Sequence, residues 1–448
     1  MLLRGNPYLA QLLYFRMHYH AGAWEREILI RRSWVMVPKG WEVKKLQDIV
    51  SKTRKITYGI VVPGPREPNG NLMIRAQDYS FGWGNVDNIY RVSNEVHKSY
   101  RRSQVRKGDL LLTIVGSIGK TAIVPEHLDG ANLTQQTARL SFDEHHTIFF
   151  HSVISSPIGK KEIFRYAKSG VQPSLNLSDI AKFKVPVPPL PEQQKIAKIL
   201  STWDKAISTT EALIDNSKQQ KKSLMQQLLT GKKRFTGFEG KWEDRHLHEV
   251  ARIISSPVDK KTIEGELPVE LCNYTDVYYN TTITNKLNFM KATAKQSEVD
   301  KFTLQVGDVI ITKDSETPGD IAIPALVSEN LNGVVCGYHL AIVRPEKEKV
   351  NGSFLNYLFY MQKTRYYFFT LATGATRFGL SIGAINNAHF TFPPIDEQQK
   401  ISSVLTCADK EIGTLEKQLA DLKQEKKSLM QQLLTGKRRV NVDGMEAA

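Results

Sequence analysis

The sequence KKSLMQQLLTGKKR stands at Lys221–Arg234 and recurs at Lys426–Arg439 as KKSLMQQLLTGKRR, with one lysine-to-arginine change in fourteen positions. A second block, EQQKI, begins at Glu192 and again at Glu397, at the same offset of 205 residues. Repetition of this length and quality does not arise by chance, so the chain contains a duplicated unit. The best preserved part of that unit is one long helix of about 40 residues.

Apolar side chains in both repeats follow alternating steps of four and three residues, which is the spacing of a heptad seam. The seams run over residues 196–228 and 401–433, and Lys426 is the single polar break in the second. A globular domain must fit between the two helices, so the pattern favours an antiparallel coiled coil with each helix roughly 60 Å long. The alternative is that each helix simply packs on its own domain.

Residues at both ends of each repeat mark where the helices begin and end. Pro191 suits a first helical turn, and Glu192 and Glu397 suit the positive end of a helix dipole. Gly231 and Gly436 suit a helix C-cap. These signals set the helix boundaries more firmly than periodicity alone.

The rest of the chain predicts two mixed α/β domains with strongly bent sheets. Short β-rich runs at 109–115 and 308–312 are bounded by Gly, Pro, Asn and Asp, whereas the run 354–369 predicts a buried aromatic helix. We predict an α+β fold with a pseudo-twofold internal repeat, in which paired helices separate two globular domains. The predicted segments are an N-terminal extension (1–35), a first globular domain (36–185), a first spacer helix (186–234), a second globular domain (235–392), a second spacer helix (393–440) and a tail (441–448).

Composition excludes several classes of protein. Among 448 residues, 41% are hydrophobic and 61 Lys+Arg stand against 46 Asp+Glu, a formal net charge of +15. The hydrophobic content excludes a disordered or collagen-like chain, and the basic excess favours a polyanionic partner such as nucleic acid. Three cysteines far apart exclude a disulfide framework and fit a reducing cytoplasm. No stretch approaches the roughly 20 apolar residues of a membrane helix, so we expect neither membrane insertion nor export.

Charge is unequal between the two predicted domains. Residues 1–185 hold 27 Lys+Arg against 15 Asp+Glu, whereas residues 237–392 hold 16 against 18. The first domain should therefore supply most of the long-range attraction to phosphates, and the second must use a local basic face.

Several motifs resemble parts of catalytic sites, but each lacks residues that the catalytic motif requires. Gly116–Thr121 resembles the end of a phosphate-binding P-loop, but the required earlier glycine is replaced by Ile114, so a tight turn is the better interpretation. Phe392-Pro393-Pro394 and Val187-Pro188-Pro189 lack the amide and aromatic residues of a base methyltransferase loop. The pairs His18/His20, His145/His146 and His246/His248 lack further ligands at metal spacing. We predict no catalytic centre, no metal site and no cofactor.

Taken together, these motifs resemble the specificity subunit of type I restriction-modification systems. The resemblance rests on Leu190–Ala197 and Leu228–Lys232, both repeated later in the chain, and on Arg75–Tyr79, Gly108–Leu111, Gly170–Leu175 and Gly374–Phe378, which are similar to that family's target-recognition domains. It covers Met36 to about Val440, so residues 1–35 depart from the family pattern.

The resemblance implies that each globular domain reads one half of a split, asymmetric DNA site while the coiled coil sets the gap. It also implies that two methyltransferase subunits bind this chain, that restriction subunits join through them, and that methylation and cleavage belong to those partners. A protein scaffold without DNA binding and an enzyme with unrecognised chemistry are the competing hypotheses.

Polar residues on strand-end loops are the expected DNA contacts, because base edges are read by Arg, Lys, Gln and Asn. The candidates are Gln77, Lys120, Gln135, Gln136, Gln172, Lys313, His339 and Arg377. The candidates for the methyltransferase interface are Glu192, Gln193, Lys195, Glu397, Gln398 and Lys400, for which helix capping is the rival role.

Overall fold

The computed structural model describes residues 37–80, 82–168, 170 and 172–442, so the predicted extension at 1–35 and most of the tail lie outside it. The chain forms two compact units. Unit 1 comprises the chain up to Thr209 together with the segment from Leu419 onward, and unit 2 comprises Thr210–Gln418. Each unit therefore contains parts of both long helices.

The globular part of unit 1 is built from short strands and helices. Its strands are β1 (Glu42–Lys45), β2 (Thr57–Tyr58), β3 (Asn71–Ile74), β4 (Tyr90–Val92), β5 (Leu110–Thr113), β6 (Thr121–Ile123), β7 (Asn132–Leu133), β8 (Thr137–Leu140) and β9 (Lys184–Val187). Its helices are α1 (Leu46–Ile49), α2 (Asn94–Ser99), α3 (Thr147–Ser155), α4 (Pro157–Tyr166) and α5 (Leu177–Ile180).

Three small sheets organise unit 1, with strand orders β2-β8-β5-β6, β4-β3-β7 and β1-β9. Strand β5 is buried along its whole length because it lies between β8 and β6. The main core includes the fully buried rings of Phe149, Phe150 and Phe183. Burying a side chain of this size contributes roughly 1.5–3 kcal/mol.

Unit 2 repeats this plan with additional strands. Its strands are β10 (Glu243–His246), β11 (Ala251–Ser255), β12 (Leu267–Cys272), β13 (Thr282–Ile283), β14 (Met290–Ala294), β15 (Val309–Thr312), β16 (Asp314–Ser315), β17 (Pro324–Val327), β18 (Val335–Cys336), β19 (Leu340–Pro345), β20 (Phe378–Gly379) and β21 (His389–Phe392). Its helices are α7 (Tyr274–Tyr278), α8 (Gln296–Phe302), α9 (Gly352–Tyr360), α10 (Gln362–Leu371) and α11 (Ile382–Asn386).

Strand pairing shows which residues of the two units correspond. In unit 1 Leu110 pairs with Leu140, and in unit 2 Val309 pairs with Val343. The sheet order β11-β19-β15-β17-β13 of unit 2 matches β2-β8-β5-β6 of unit 1, with β13 added at one edge. The strand predicted at 109–115 is thus the central strand β5, and the one predicted at 308–312 is its counterpart β15.

The two predicted long helices form, at Leu190–Leu228 (α6) and Ile395–Leu433 (α12), each with 39 residues. A glycine with positive φ follows the end of each helix by three residues, Gly231 at 70° and Gly436 at 69°. A side chain could not be added cheaply at Gly436, because a Cβ there would lie 2.4 Å from Pro38 Cδ.

Residues of the duplicated motif contact one another reciprocally within each unit. In unit 1 Arg439 forms two hydrogen bonds with Glu192, at 2.9 and 2.5 Å. In unit 2 the corresponding Arg234 binds Glu397 at 2.9 and 2.7 Å. The end of each helix segment is thereby tied to the beginning of the other, and both carboxylates are buried.

A second set of reciprocal contacts between the two repeats lies further along the helices. Lys426 pairs with Asp204 in unit 1, and Lys221 pairs with Asp409 in unit 2. Because each repeat contributes one partner to both pairs, an altered residue in one repeat would lose its partner in the other. This reciprocity gives a physical reason for the near-identity of the two motifs.

The aromatic run at 354–369 was wrongly predicted as one buried helix. It forms α9 and α10, separated at Met361, whose ψ of 137° is extended. Phe354 and Phe359 are buried, but Tyr366 is 68% exposed and Phe369 is 47% exposed. The aromatic density was misleading here because α10 buries only one face.

The described residues contain neither a membrane-spanning helix nor a cluster of metal ligands. Among the helices of the part that the structure describes, none combines the length and apolar character needed to cross a membrane. Within residues 37–80, 82–168, 170 and 172–442, no group of three His, Cys, Asp or Glu residues is arranged to hold a metal ion.

Candidate nucleic-acid interface

In unit 1 several loops carrying candidate DNA contacts meet at the end of β5. The backbone N–H of Ile114 donates to Gln136 O at 2.8 Å, and the N–H of Gly116 donates to Pro173 O at 2.9 Å. The loop carrying Gln135 and Gln136 and the loop carrying Gln172 are therefore hydrogen-bonded to the same short segment.

The glutamine candidates of unit 1 are accessible. Gln77, Gln135, Gln136 and Gln172 are all exposed. Gln77 lies in the 3-10 turn Ala76–Asp78, which is tied to the β7–β8 loop region because Tyr79 Oη lies 3.1 Å from Thr137 Oγ1. Side-chain amides on fixed backbone can offer both a donor and an acceptor to a base edge.

Lys120 closes the tight turn that resembles part of a P-loop. The N–H of Lys120 donates to Thr113 Oγ1 at 2.9 Å, and Thr113 Oγ1 donates to Ser117 O at 2.6 Å. The N–H of Gly119 donates to Thr113 O at 3.0 Å. These amides hold the turn together, so they are not arranged as a phosphate cradle, in agreement with the interpretation as a turn.

Unit 2 has the same frame at the end of β15. The N–H of Lys313 donates to His339 O at 2.9 Å, as Ile114 does to Gln136 in unit 1. The N–H of Leu380 donates to Lys313 O at 2.9 Å, as that of Leu175 does to Ile114 O in unit 1.

Hydrogen bonding also aligns the loops that follow. Lys168 and Ser174 form a bridge in unit 1, and Thr373 and Gly379 form the matching bridge in unit 2, each six residues apart. Gln172 therefore corresponds to Arg377, and Gln136 to His339.

The candidates His339 and Arg377 of unit 2 form a single cluster with Asp314. His339 Nδ1 lies 2.6 Å from Asp314 Oδ1, and Arg377 Nη2 lies 3.1 Å from His339 Nε2. Arg377 also contacts Asp314, with Nη2 at 2.7 Å from Oδ1. Arg377 Nη2 also lies 2.7 Å from His339 Nδ1, so the guanidinium group lies beside both ring nitrogens of His339.

The cluster favours a neutral imidazole. Burial lowers the pKa of His339, and the positive charges of Arg377 and Lys260 add to this effect against the opposing influence of Asp314. His339 is only 8% exposed, whereas the Arg377 side chain is 53% exposed. Arg377 is thus the accessible member, and His339 and Asp314 hold it in place.

Lys313 is half-buried and has an internal partner. Its Nζ donates to Ser255 Oγ at 3.0 Å, which places the ammonium group beside β11. Sequence reasoning singled out Lys313, His339 and Arg377 but missed Asp314 and Ser255, which position them. No local signal marks these two residues, because their contacts join segments about 60 residues apart.

Four of the six candidates for a partner interface are inside the chain. Glu192, Gln193, Glu397 and Gln398 are each at most 1% exposed. Gln193 Nε2 donates to Pro188 O, and Gln398 Nε2 donates to Pro393 O, both at 2.8 Å. These amides fasten the start of each helix to the preceding segment. All four side chains are therefore held by contacts inside the chain, and among the six candidates Lys195 and Lys400 are the exposed ones.

Comparison with known proteins identifies the fold and the family. The model of the type I restriction modification DNA specificity domain matches residues 38–217 and 239–424. The chain is 31% identical to the EcoBI type I restriction enzyme specificity subunit of Escherichia coli over 198 residues, which are 44% of this chain and 41% of that relative. It is 22% identical to the MjaVIII specificity subunit of Methanocaldococcus jannaschii over 90% of this chain and 94% of that one.

A solved structure shares the fold over most of the chain. The type I restriction-modification S subunit from M. genitalium is similar with a TM-score of 0.56 and 16% identity, over 89% of this chain and 96% of that one. The two matched segments of the family model begin near Trp41 and Trp242, which lie close to Gly436 and Gly231, respectively. On this evidence the chain belongs to the family of type I restriction-modification DNA specificity subunits.

Proposed function

We propose that the chain recognises a bipartite, asymmetric DNA site, with unit 1 reading one half-site and unit 2 reading the other. The observation that carries this proposal is the shared backbone frame at the ends of β5 and β15, which presents different side chains at corresponding positions. Gln136 corresponds to His339, and Gln172 corresponds to Arg377. Two readers with one scaffold and different side chains would select different bases.

The exposed side chains suit base recognition. Glutamine can pair with the N6 and N7 edge of adenine, and arginine with the O6 and N7 edge of guanine. Gln77, Gln135, Gln136 and Gln172, with Lys120, form the proposed contact set of unit 1. Arg377, His339 and Lys313 form that of unit 2, so the two sets present different side chains.

We further propose that α6 and α12 pair as an antiparallel coiled coil with a pseudo-twofold relation between the repeats. Within unit 1 the first part of α6 contacts the last part of α12 through Asp204 and Lys426. Within unit 2 the last part of α6 contacts the first part of α12 through Lys221 and Asp409. Continuous helices of fixed length would then set the number of base pairs between the half-sites.

The chemistry of modification and cleavage belongs, in this proposal, to partner subunits. Two methyltransferase subunits bind this chain and restriction subunits join through them, while the chain itself is non-catalytic and needs no cofactor. Lys195 and Lys400 occupy matching exposed positions one turn into the helices and are the proposed contacts for the methyltransferase. Lys195 would lie in one docking surface and Lys400 in an equivalent one, and each surface would receive one methyltransferase copy.

Co-expression with the candidate methyltransferase subunit in a host free of DNA methylation tests the function. Modified adenines would be mapped across the genome at single-base resolution, with and without this chain. We expect a bipartite motif that disappears when the chain is omitted. An Arg377→Gln variant should alter one half of the motif and leave the other half and the gap unchanged.

Two results would contradict the proposal. A stable complex without methylation, combined with DNA affinity that does not depend on salt, would favour a protein scaffold. Methylation by this chain alone would instead indicate that it carries its own catalytic centre.

A further inference from the structure

A cavity of about 550 Å³ in unit 1 is lined by thirteen residues, six of which are basic. Its basic side chains are Arg54, Lys55, Arg101, Arg102, Arg106 and Arg139, and the single carboxylate among the lining residues is Asp129. A volume of this size is typical of small-ligand sites. Six cations around one cavity repel one another, so the cavity is suited to an anion.

The nearest buried carboxylate is already neutralised. Asp109 is 4% exposed and receives two hydrogen bonds from Arg54, both at 2.7 Å. Its oxygens also accept from Ser141 Oγ at 2.6 Å and from the N–H of Arg106 at 2.6 Å. Asp109 therefore balances the charge of Arg54 and has little capacity left for the other cations.

Arg139 carries a buried charge without a hydrogen-bonded carboxylate among the described residues. It is 3% exposed, and its Nη1 donates to the carbonyl oxygens of Arg102 and Gln104 at 2.8 and 2.7 Å. Its Nε has no hydrogen-bond partner among the described residues. Burial lowers the pKa of Arg139 to about 10, and the charge of Arg54 contributes to that shift.

Other arginines of the chain show what such a group ordinarily binds. The Nε and Nη2 atoms of Arg344 bind the two oxygens of Asp308, at 2.8 and 2.7 Å. Arg234 and Arg439 bind glutamates through the same two nitrogens. Arg139 lacks this partner, and a buried cation without a counter-charge is costly to retain unless an anion offsets it.

Unit 2 has no such group at the corresponding positions. Arg139 pairs with Leu111 and Thr57 across the sheet, and the matching residue Ile342 pairs with Ile310 and Ile254. Ile342 and Ile254 belong to the hydrophobic core of unit 2. The arginine is therefore not required by the fold, and its retention in unit 1 calls for a separate role.

We propose that this cavity binds a phosphate-bearing anion, with Arg101, Arg102 and Arg106 as the exposed contacts and Arg139 as the buried positive charge. The cavity lies near the start of β5, next to Asp109. The proposed DNA-reading loops are hydrogen-bonded to the segment at the other end of that strand. At roughly 3.3 Å per residue the four residues of β5 separate the two sites by about 13 Å. The phosphate comes either from the backbone of bound DNA or from a free polyphosphate.

Calorimetric titration of the full chain with pyrophosphate tests the site. We expect saturable binding that weakens at least tenfold in an Arg101→Ala/Arg102→Ala variant, whose side chains are exposed. A Lys286→Ala/Lys291→Ala variant removes the same charge from exposed positions of unit 2 and should bind pyrophosphate as the unaltered chain does.

The salt dependence of duplex binding, measured on the same three proteins, identifies the source of the phosphate. If DNA displaces pyrophosphate and the double variant loses about two units of salt slope, the ligand is the DNA backbone, since each phosphate contact contributes about 0.9. If both ligands bind together and the slope is unchanged, the ligand is a free polyphosphate. The proposal is overturned if neither pyrophosphate binding nor the salt slope depends on Arg101 and Arg102.

This result is separable from the proposed function. The chain could show no sequence preference for DNA while the double variant still loses pyrophosphate binding. That result would support the anion site and contradict the DNA-reading proposal.

Discussion

Units 1 and 2 share a backbone frame, yet they differ sharply in the side chains that the frame presents. At the end of the central strand, Gln136 and Gln172 of unit 1 correspond to His339 and Arg377 of unit 2. At the neighbouring strand, Arg139 of unit 1 corresponds to a core isoleucine of unit 2. Arg377 and His339 are joined to Asp314, and Arg139 is joined to backbone carbonyl groups, so each of these side chains is held by contacts within its own repeat.

The long helices show the opposite behaviour. Their motif residues contact the other repeat, as Arg234 contacts Glu397 in unit 2 and Arg439 contacts Glu192 in unit 1. A substitution in one repeat therefore leaves a group of the other repeat without its partner. The motif residues that contact the other repeat are thus nearly identical in the two halves, whereas the strand-end residues that contact their own repeat differ.

The largest expected effect comes from breaking the buried ion pairs. Replacing Arg234 or Arg439 with Met leaves a buried carboxylate without its counter-charge, which should lower Tm by roughly 5–10 °C. The decrease in Tm should be larger for Arg234→Met than for Arg439→Met. Glu192 keeps a hydrogen bond from Trp41 Nε1 at 3.2 Å, whereas Nε1 of the matching Trp242 has no partner among the described residues.

Thermal unfolding of both variants would measure this difference. Lys232→Met is the matched control, because Lys232 is an exposed cation next to the same C-cap and should leave Tm nearly unchanged. Equal losses at Arg234 and Arg439 would show that the tryptophan contact contributes nothing.

Half-site specificity should respond to one unit at a time. Arg377→Gln should cost about 1–3 kcal/mol of discrimination, or roughly 5- to 150-fold, at one base of the unit 2 half-site. Gln172→Ala should relax a base of the other half-site only. Competition binding with duplexes mutated in either half would measure both effects. Relaxation of both half-sites by either variant would contradict separate readers.

Removing the support of Arg377 should have a smaller effect. His339→Leu removes the hydrogen bond with Asp314 and the contact of the imidazole with Arg377, so we expect about tenfold weaker discrimination at the Arg377 base, on the order of one hydrogen bond to a charged group. His339→Asn retains both a donor and an acceptor and should recover most of the loss. If Leu and Asn behave alike, His339 has no positioning role.

The free energy of unfolding should decrease at mildly acidic pH. The histidines of unit 1 should contribute more to this decrease than the histidine of unit 2. Burial lowers the pKa of His145, His146 and His151 in unit 1 and of His339 in unit 2. Unfolded histidines titrate near 6.5, so below that pH the unfolded chain binds protons that the folded chain does not. The free energy of unfolding is therefore highest above pH 6.5 and decreases as the pH falls through the lowered pKa values.

Denaturant unfolding at pH 7.5 and 5.5 would measure this loss. Replacing the three histidines of unit 1 with Gln should flatten the pH dependence more than His339→Asn does. A larger change from the single unit 2 variant would contradict the assignment.

The smallest difference is expected between the two lysine–aspartate pairs of the helices. Lys221 pairs with Asp409 and also lies over the Tyr357 ring, 5.4 Å from its centroid. Lys426 pairs with Asp204. Lys221→Met should cost up to about 1 kcal/mol and Lys426→Met less, because partly exposed ion pairs contribute little. Denaturant titration of each variant at low and high salt would measure the costs, and a larger loss at Lys426 would reverse the expected order.

Much of the architecture could be predicted from the sequence because its signals are local or repeated. The two 39-residue helices, their glycine C-caps and the central strands of both units were predicted from periodicity, turn residues and duplication. The aromatic run at 354–369 was wrong because composition does not reveal that Tyr366 and Phe369 lie on the outer face of α10.

The sequence by itself determined the duplication, the helix lengths and the family, since these depend on residue identity along one continuous stretch. Only the tertiary structure decided which residues are available for binding. It placed Glu192 and Glu397 inside ion pairs, joined Arg377 to His339 and Asp314, and gathered the basic cavity around Arg139. Those contacts join segments that are far apart in the chain, and burial is set by what packs against a residue after folding.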